Sequence, residues 1–247
     1  IKVLDQSYRI PGGPIHELSQ HIINKVQNRF DKKYKPRDEE GILKRYSDVT
    51  QVDMGQGNWL VLSSANYFLD PVKELCELQG WYYQYKGRNS IPLKLLLALN
   101  NWESWRKEEM LNHLEIKNIY EYLGANVLEG FRKGKTLHSE SKYTLKECQE
   151  KHGLITDKVW YDSFEGLDTI TENYINKNPR IKMSTIHGAK GGEADKVLLM
   201  QDLTGAALET LSNDPDELHR LFYTGATRAK RELHIVDPKD FDRAYIL

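Results

Sequence analysis

The chain has 247 residues, 39% of them hydrophobic and 29% charged, with a formal net charge of -1. That suits one large domain or two small ones with a real core, and the near-neutral charge neither favours nor excludes a nucleic-acid partner, since a basic groove can sit on a neutral protein. Cys76 and Cys148 lie far apart with no CxxC spacing, which argues against a disulfide framework or a zinc site and fits a reducing interior.

No apolar run reaches the roughly 20 residues of a membrane span, and "LKLLLALNNW" breaks at Asn100-Asn101. The opening "IKVLDQSYRIPGG" has no signal-peptide pattern and reads as a strand and turn cut from something longer. "IKVL" is a short strand candidate. "PIHELSQHIINKVQNRF" carries Ile15, Leu18, Ile22, Ile23 and Val26 at helical spacing, with Pro14 near the first turn. "GILKRYSDVTQVDM" alternates in places, as a strand does. "NWLVLSS" is continuously apolar, as expected of a buried parallel strand. "YFLDPVKELCELQG" predicts a helix closed by Gly80, and "WYYQYKG" a strand, which completes a βαβ unit.

The character changes after Gly87. From Ser90 to about Ile175 the patterns are helical: "PLKLLLALNNWESWRK", "LEIKNIYEYLG", "YTLKECQEKHG" and "FEGLDTITENYIN". The α/β style then returns. "KMSTIHGAKGGEADKVLLMQDL" reads as strand, Gly-rich turn, strand. "DPDELHRLFYTGATRAK" reads as a helix with Asp214 at the N-cap and Pro215 at its first position. "ELHIVDP" is the last strand. The expected fold class is α/β: a parallel sheet with helices on both faces, interrupted by a mainly helical inserted subdomain. The expected segments are 1–88, 89–180 and 181–247.

Three stretches carry candidate chemistry. "GFRKGKT", Gly130 to Thr136, imitates a phosphate loop but has three residues between its glycines where four are needed, and no buried strand before it. A solvated basic turn is the better reading. In "STIHGAKGGEADKVLLM" the glycines let a backbone come close to a partner. Thr185 and His187 suit phosphate and sugar contacts, although a lone loop histidine is more often a satisfied loop residue, and Glu193 alone a solvated carboxylate. Arg228 ends a helix whose apolar face is Leu218, Leu221, Phe222 and Ala226. A helix C-terminus favours cations, so Arg228 and Lys230 have a plain electrostatic explanation as well. Two aromatic runs are read as packing: Trp81, Tyr83 and Tyr85 in a covered strand, and Trp102 and Trp105 in the insert's own core.

Taken together, the motifs resemble a known family. "STIHGAKGGEADKV" resembles motif V, and "RLFYTGATRAKRELHIV" motif VI, of superfamily 1 helicases of the UvrD/Rep/PcrA type. "LDQSYRIP" looks like motif IV and "LVLSSANYFLDPVKELCELQGWYYQYKG" like segment IVa. They occur in the family's order. The resemblance covers residues 1 to about 90 and about 181 to 247; the helical middle takes the place of the family's 2B subdomain and is shorter. It implies a RecA-like fold and the C-terminal half of an ATP-dependent DNA helicase, in the branch that moves 3′ to 5′ on single strands. The first RecA-like domain, 1A, with Walker A and Walker B, would lie outside this chain.

The resemblance assigns roles residue by residue. Arg9 and Arg228 match the two arginines that reach the γ-phosphate of ATP. Gly191 and Glu193 match the turn that approaches the ribose. Thr185, His187 and Asn66 match positions facing single-stranded DNA, and Ser64 stands on the same track where the family often has an arginine. The chain has Gly-Gly-Glu-Ala where the family usually has Gly-Leu-Glu-Phe, so that turn should be more flexible. The implied cofactors are ATP and Mg²⁺, with metal ligands expected on domain 1A and none here. The implied partners are single-stranded DNA, single-strand/duplex junctions and domain 1A, with no membrane, in the cytoplasm of a bacterial or phage-infected cell. A helicase–nuclease subunit, or a non-catalytic binding module that kept the fold, are the alternatives. The isolated chain is expected not to hydrolyse ATP.

Overall fold

A computed structural model describes residues 6–29, 34–121, 142–144, 146, 179–189 and 191–247. The strand expected at "IKVL", the "GFRKGKT" turn, the helix "FEGLDTITENYIN", nearly all of "YTLKECQEKHG", Cys148 and Lys190 lie outside the described residues. The chain divides into two compact units, one of Ile1–Arg88 with Pro179–Leu247 and one of Asn89–Asn178.

The first unit is built on a mostly parallel sheet. Its strands are β3 (Ile42–Tyr46), β4 (Trp59–Ser63), β5 (Tyr83–Tyr85), the edge strand β6 (Arg88–Asn89), β9 (Ile181–Thr185), β10 (Ala194–Met200) and β11 (Ala229–Val236), in the order β3-β11-β10-β4-β9-β5-β6. Pairings from β3 through β5 are all parallel. A separate parallel ribbon joins β1 (Gln6–Gly12) to β2 (Lys35–Glu40).

Alternation within the apolar runs explains why both sheet faces are covered. Leu60 and Leu62 of β4, Val197 and Leu199 of β10, and Leu233 and Ile235 of β11 face one side. There they meet Ile15, Leu18 and Ile22 of α1 (Pro14–Asn24) and Leu218, Phe222 and Ala226 of α6 (Pro215–Ala226). Trp59, Val61, Leu198, Met200 and Val236 face the other side, against Val72, Leu75 and Cys76 of α2 (Asp70–Leu78). A strand buried on both faces reads as a continuous apolar run, and β4 does.

α2 ends as the sequence predicts. Gly80 takes φ +63°, its N–H donates to the Glu77 carbonyl, and Trp81 N–H reaches back to the Cys76 carbonyl at 2.8 Å. That pair of bonds is the Schellman arrangement, which needs a left-handed residue at this point. Trp81 is thereby spent on the turn, so the strand expected over "WYYQYKG" shrinks to β5. Tyr83 is buried in the second cluster, with Trp81 and Tyr85 packed against it.

Besides the edge strand β6, three further elements were not expected from the sequence. β2 is the charged run Lys35-Pro-Arg-Asp-Glu-Glu40. Helix α5 (Gly205–Asn213) starts at Thr204, whose hydroxyl accepts the Ala207 N–H at 3.0 Å. It runs into α6 through Asp214. Asp214 sits at the N-cap of α6 as expected, but its side chain makes no capping bond. Its backbone is held at φ -139° and ψ 76°, and its N–H closes α5 on the Thr210 carbonyl.

The second unit contains α3 (Leu93–Arg106) and α4 (His113–Tyr120). Trp102 and Trp105 are 2% and 0% exposed and meet edge to face, centroids 6.3 Å apart. They pack the unit's own core with Leu99, Ile116 and Ile119 buried nearby in sequence. α4 opens on a capping box. The Asn112 side chain accepts the Glu115 N–H at 3.0 Å, and the Glu115 carboxylate accepts the Asn112 N–H at 2.8 Å. The third unexpected element is a short antiparallel ribbon of β7 (Leu111–Asn112) and β8 (Lys142–Tyr143). Among the described residues no helix is long and apolar enough to cross a membrane.

Candidate functional site

Sheet register brings three distant segments together. β10 and β11 pair with Ala194 opposite Ala229, and the Ala194 N–H donates to the Arg228 carbonyl at 3.2 Å. Glu193, one residue before Ala194, therefore stands beside Arg228 and Lys230. The Lys230 ammonium meets Glu193 Oε1 at 2.9 Å. From the other side, β1 packs near β11, and β2 places Arg37 opposite Pro11. Arg37 Nη2 donates to the Lys230 carbonyl. The result is a cleft of about 510 Å³ lined by Ser7, Tyr8, Arg9, Arg37, Glu193 and Lys230.

Charge in this cleft is unbalanced. Arg9, Arg37 and Lys230 line it against one carboxylate, Glu193, and Arg228 lies alongside. Lys230 foremost, then Arg9 and Arg228, hold the Glu193 carboxyl below its ordinary range. Burial and the like charge of Arg9 lower the Arg228 pKa, with Glu193 acting in the other direction. Among the described residues, neither the buried Arg228 Nε nor the buried Arg37 Nε has a hydrogen-bond partner. Clustered cations with a donor left over suit an oxyanion of several charges, such as a polyphosphate. They do not suit a metal ion: the one carboxylate is already engaged by an ammonium.

The turn before Glu193 depends on glycine. Gly191 has φ +88°, a conformation most residues avoid, and a side chain there would meet nothing within 4 Å. The turn is therefore left-handed at Gly191.

The residues assigned to nucleic acid emerge elsewhere on the same unit. β4 and β9 are neighbours, with Ser63 opposite Thr185, so the turns that follow leave the same edge of the sheet. In open α/β sheets this carboxyl edge is where ligands bind. Thr185 is half-buried, and its hydroxyl accepts the Gly188 N–H at 3.0 Å, shaping the turn. That turn projects His187 into solvent. Asn66 begins a single 3-10 turn, Asn66–Leu69, and its carbonyl accepts the Tyr85 hydroxyl at 3.2 Å. Ser64 is different. Its hydroxyl donates to the Asp202 carbonyl at 2.7 Å, so it ties β4 to the segment after β10.

Four cleft residues, Ser7, Tyr8, Arg37 and Lys230, were not singled out for the site from sequence. Tyr8 is 83% exposed, an unusual position for an aromatic ring, and its place beside Arg9 was the available signal. Lys230 was read only as a helix-end charge. Arg37 lies in a run of charges that gives no hint of a strand.

The UvrD-like helicase C-terminal domain family matches residues 99–239. The match takes in Thr185, His187, Gly191, Glu193 and Arg228, and leaves out Arg9, Ser64 and Asn66. Among solved structures, the chain is similar to the C-terminal domain of a possible DNA helicase from Lactobacillus plantarum WCFS1, at 13% identity. That likeness covers 94% of this chain and 88% of that one, with a TM-score of 0.29. No curated protein matches the sequence. Because the family match spans more than half of its 247 residues, the chain belongs to the UvrD-like helicase C-terminal domain family.

Proposed function

We propose that this chain is the second half of an ATP-dependent DNA helicase that couples ATP hydrolysis to 3′-to-5′ movement on single-stranded DNA. The observation that carries the proposal is that Arg9 and Glu193 line one cationic cleft with Arg228 alongside, the three coming from separate segments. In this reading Arg9 and Arg228 face the terminal phosphates of ATP. Charge spreads over the phosphoryl oxygens as the bond to the leaving group breaks, and planar, always-charged guanidiniums stabilise it. Glu193 accepts a hydrogen bond from a ribose hydroxyl, and the exposed Tyr8 ring offers a face on which a base can stack.

The cradle for the β-phosphate and the Mg²⁺ ligands belong, in this reading, to a partner domain bearing a phosphate loop. Splitting the site between two domains makes hydrolysis depend on closure of the cleft, which is how the chemistry becomes motion. His187, Thr185 and Asn66 contact the single strand on the carboxyl edge of the sheet. The test compares the chain alone with the full-length protein. The chain should show no ATP turnover, and the full-length protein should show turnover stimulated by a single-stranded oligonucleotide. Turnover by the chain alone, abolished in Arg228→Ala, would overturn the half-site reading.

A further inference from the structure

We infer that Lys230, itself anchored by Arg37, is a positioning residue that makes the cleft selective for the sugar of its nucleotide. It holds the Glu193 carboxylate toward the ribose and away from Arg9 and Arg228. The inference rests on the nucleotide reading given above and adds a residue to it.

Glu193 has little else to hold it. It follows Gly191 and Gly192, and its side chain is 37% exposed. A free glutamate on such a turn keeps its rotamer entropy, and ordering it on binding would weaken any contact it makes. Two guanidiniums are close enough to act on it electrostatically. Either could engage a free carboxylate through a bidentate fork. That collapse would remove the acceptor meant for the sugar and mask a cation meant for the phosphates.

The Lys230 ammonium prevents it in a specific way. It meets Oε1 at 2.9 Å, and an ammonium is a point charge with no planar fork to occupy both carboxylate oxygens at once. The carboxylate keeps lone pairs with which to accept a hydroxyl. Arg37, from β2, donates to the Lys230 main-chain carbonyl and so braces the strand from which the ammonium extends. Arg37 is steadied by Glu39, at 3.6 Å. The chain of contacts runs Glu39, Arg37, Lys230, Glu193, and ends at the one anionic group of a cationic cleft.

The experiment is steady-state ATP hydrolysis by the full-length protein with ATP, 2′-deoxy-ATP and 3′-deoxy-ATP. A hydroxyl bonded to a carboxylate is worth about tenfold in affinity. KM for at least one deoxy analogue should therefore exceed KM for ATP by about that factor in the wild type. Lys230→Met should bring the ratio close to one and should raise KM for ATP more than it lowers kcat. Glu193→Ala, which removes the acceptor altogether, should also abolish the ratio, and the double variant should go no further, because Lys230 acts through Glu193. If Glu193→Ala loses the discrimination and Lys230→Met keeps it, the role of Lys230 is refuted while the ribose contact stands. If Glu193→Ala keeps it, or the wild type shows none, the ribose contact itself is wrong and the inference falls with it.

Discussion

The carboxylate of Asp216 accepts the backbone N–H of Asn28 at 2.9 Å, across 188 positions of chain. Its other oxygen takes the Gln27 N–H at 2.8 Å, and Arg220 donates to the Asn28 carbonyl at 2.6 Å. One side chain in the first turn of α6 thus fastens the exit of α1. The two backbone donors hold the Asp216 carboxyl below its ordinary value of 3.8. A depressed pKa of this kind contributes stability above the ordinary value and loses it as pH falls through the folded one. Asp216→Asn should therefore lower the urea midpoint at neutral pH, and the gap to wild type should close in acid. Equal midpoints at neutral pH would show that the clamp contributes nothing.

The two arginines should fail together. In the full-length protein, Arg9→Ala and Arg228→Ala should each lower kcat for DNA-stimulated hydrolysis by about 10³- to 10⁵-fold. DNA binding should fall far less. The losses should not add, since both guanidiniums depend on the same closed cleft. If Arg228→Ala kept near-normal turnover and lost DNA affinity, Arg228 would be a contact to the DNA backbone.

His187 and Ser64 should separate cleanly. His187 points into solvent, so His187→Ala should weaken binding of a single-stranded oligonucleotide at low salt and leave the thermal midpoint almost unchanged. Ser64→Ala should do the reverse. It strands the Asp202 carbonyl, which accepts its hydroxyl, and should cost about 1 kcal/mol of stability. A Ser64→Ala variant of normal stability and poor DNA affinity would restore Ser64 to the DNA track.

Stability should also decline between about pH 7 and 5, through the histidine range. His234 is 3% exposed, stacked on Tyr46 and hydrogen-bonded to the Tyr46 hydroxyl and to Glu232, each at 3.1 Å. Burial lowers its pKa from the ordinary 6.5 even though Glu232 pulls the other way. His219 shifts in the same direction through burial and Lys25. The unfolded chain takes up these protons first, so acid favours unfolding, by at most about 1.4 kcal/mol per pH unit for each group. The His219→Gln/His234→Gln protein should show a shallower dependence of thermal midpoint on pH. An unchanged slope would place the acid sensitivity elsewhere.

How much of this was legible depended on whether side chains or backbone did the work. β4 announced itself because both of its faces are covered and its residues are apolar from Trp59 to Leu62. α6 announced itself through Pro215 and an apolar stripe. β2 could not, because it holds its place by main-chain pairing with β1 and by Arg37, in a run of charges. The same limit applied at the cleft. Arg9, Glu193 and Arg228 stood in recognisable motifs. Arg37 enters only through the pairing of Arg37 with Pro11, a tertiary event with no local sequence signal. Asp214 looked like a helix cap and holds that position, but the end of α5 sets its backbone, and Asp216 takes the main-chain donors instead.

The place where the second unit interrupts the sheet has an evolutionary consequence. Chain leaves the first unit after β6, at the sheet edge, and returns at β9, with only β5 between them. Neighbouring strands lie about 4.8 Å apart, so the departure and return points are separated by only about 10 Å. Among the described residues, neither apolar cluster of the sheet draws on the residues in between. Such a doorway tolerates traffic: whatever is spliced there can grow, shrink or be exchanged for a short linker while the frame on either side keeps its register. A change in the inserted module would therefore leave the strand order of the sheet as it is.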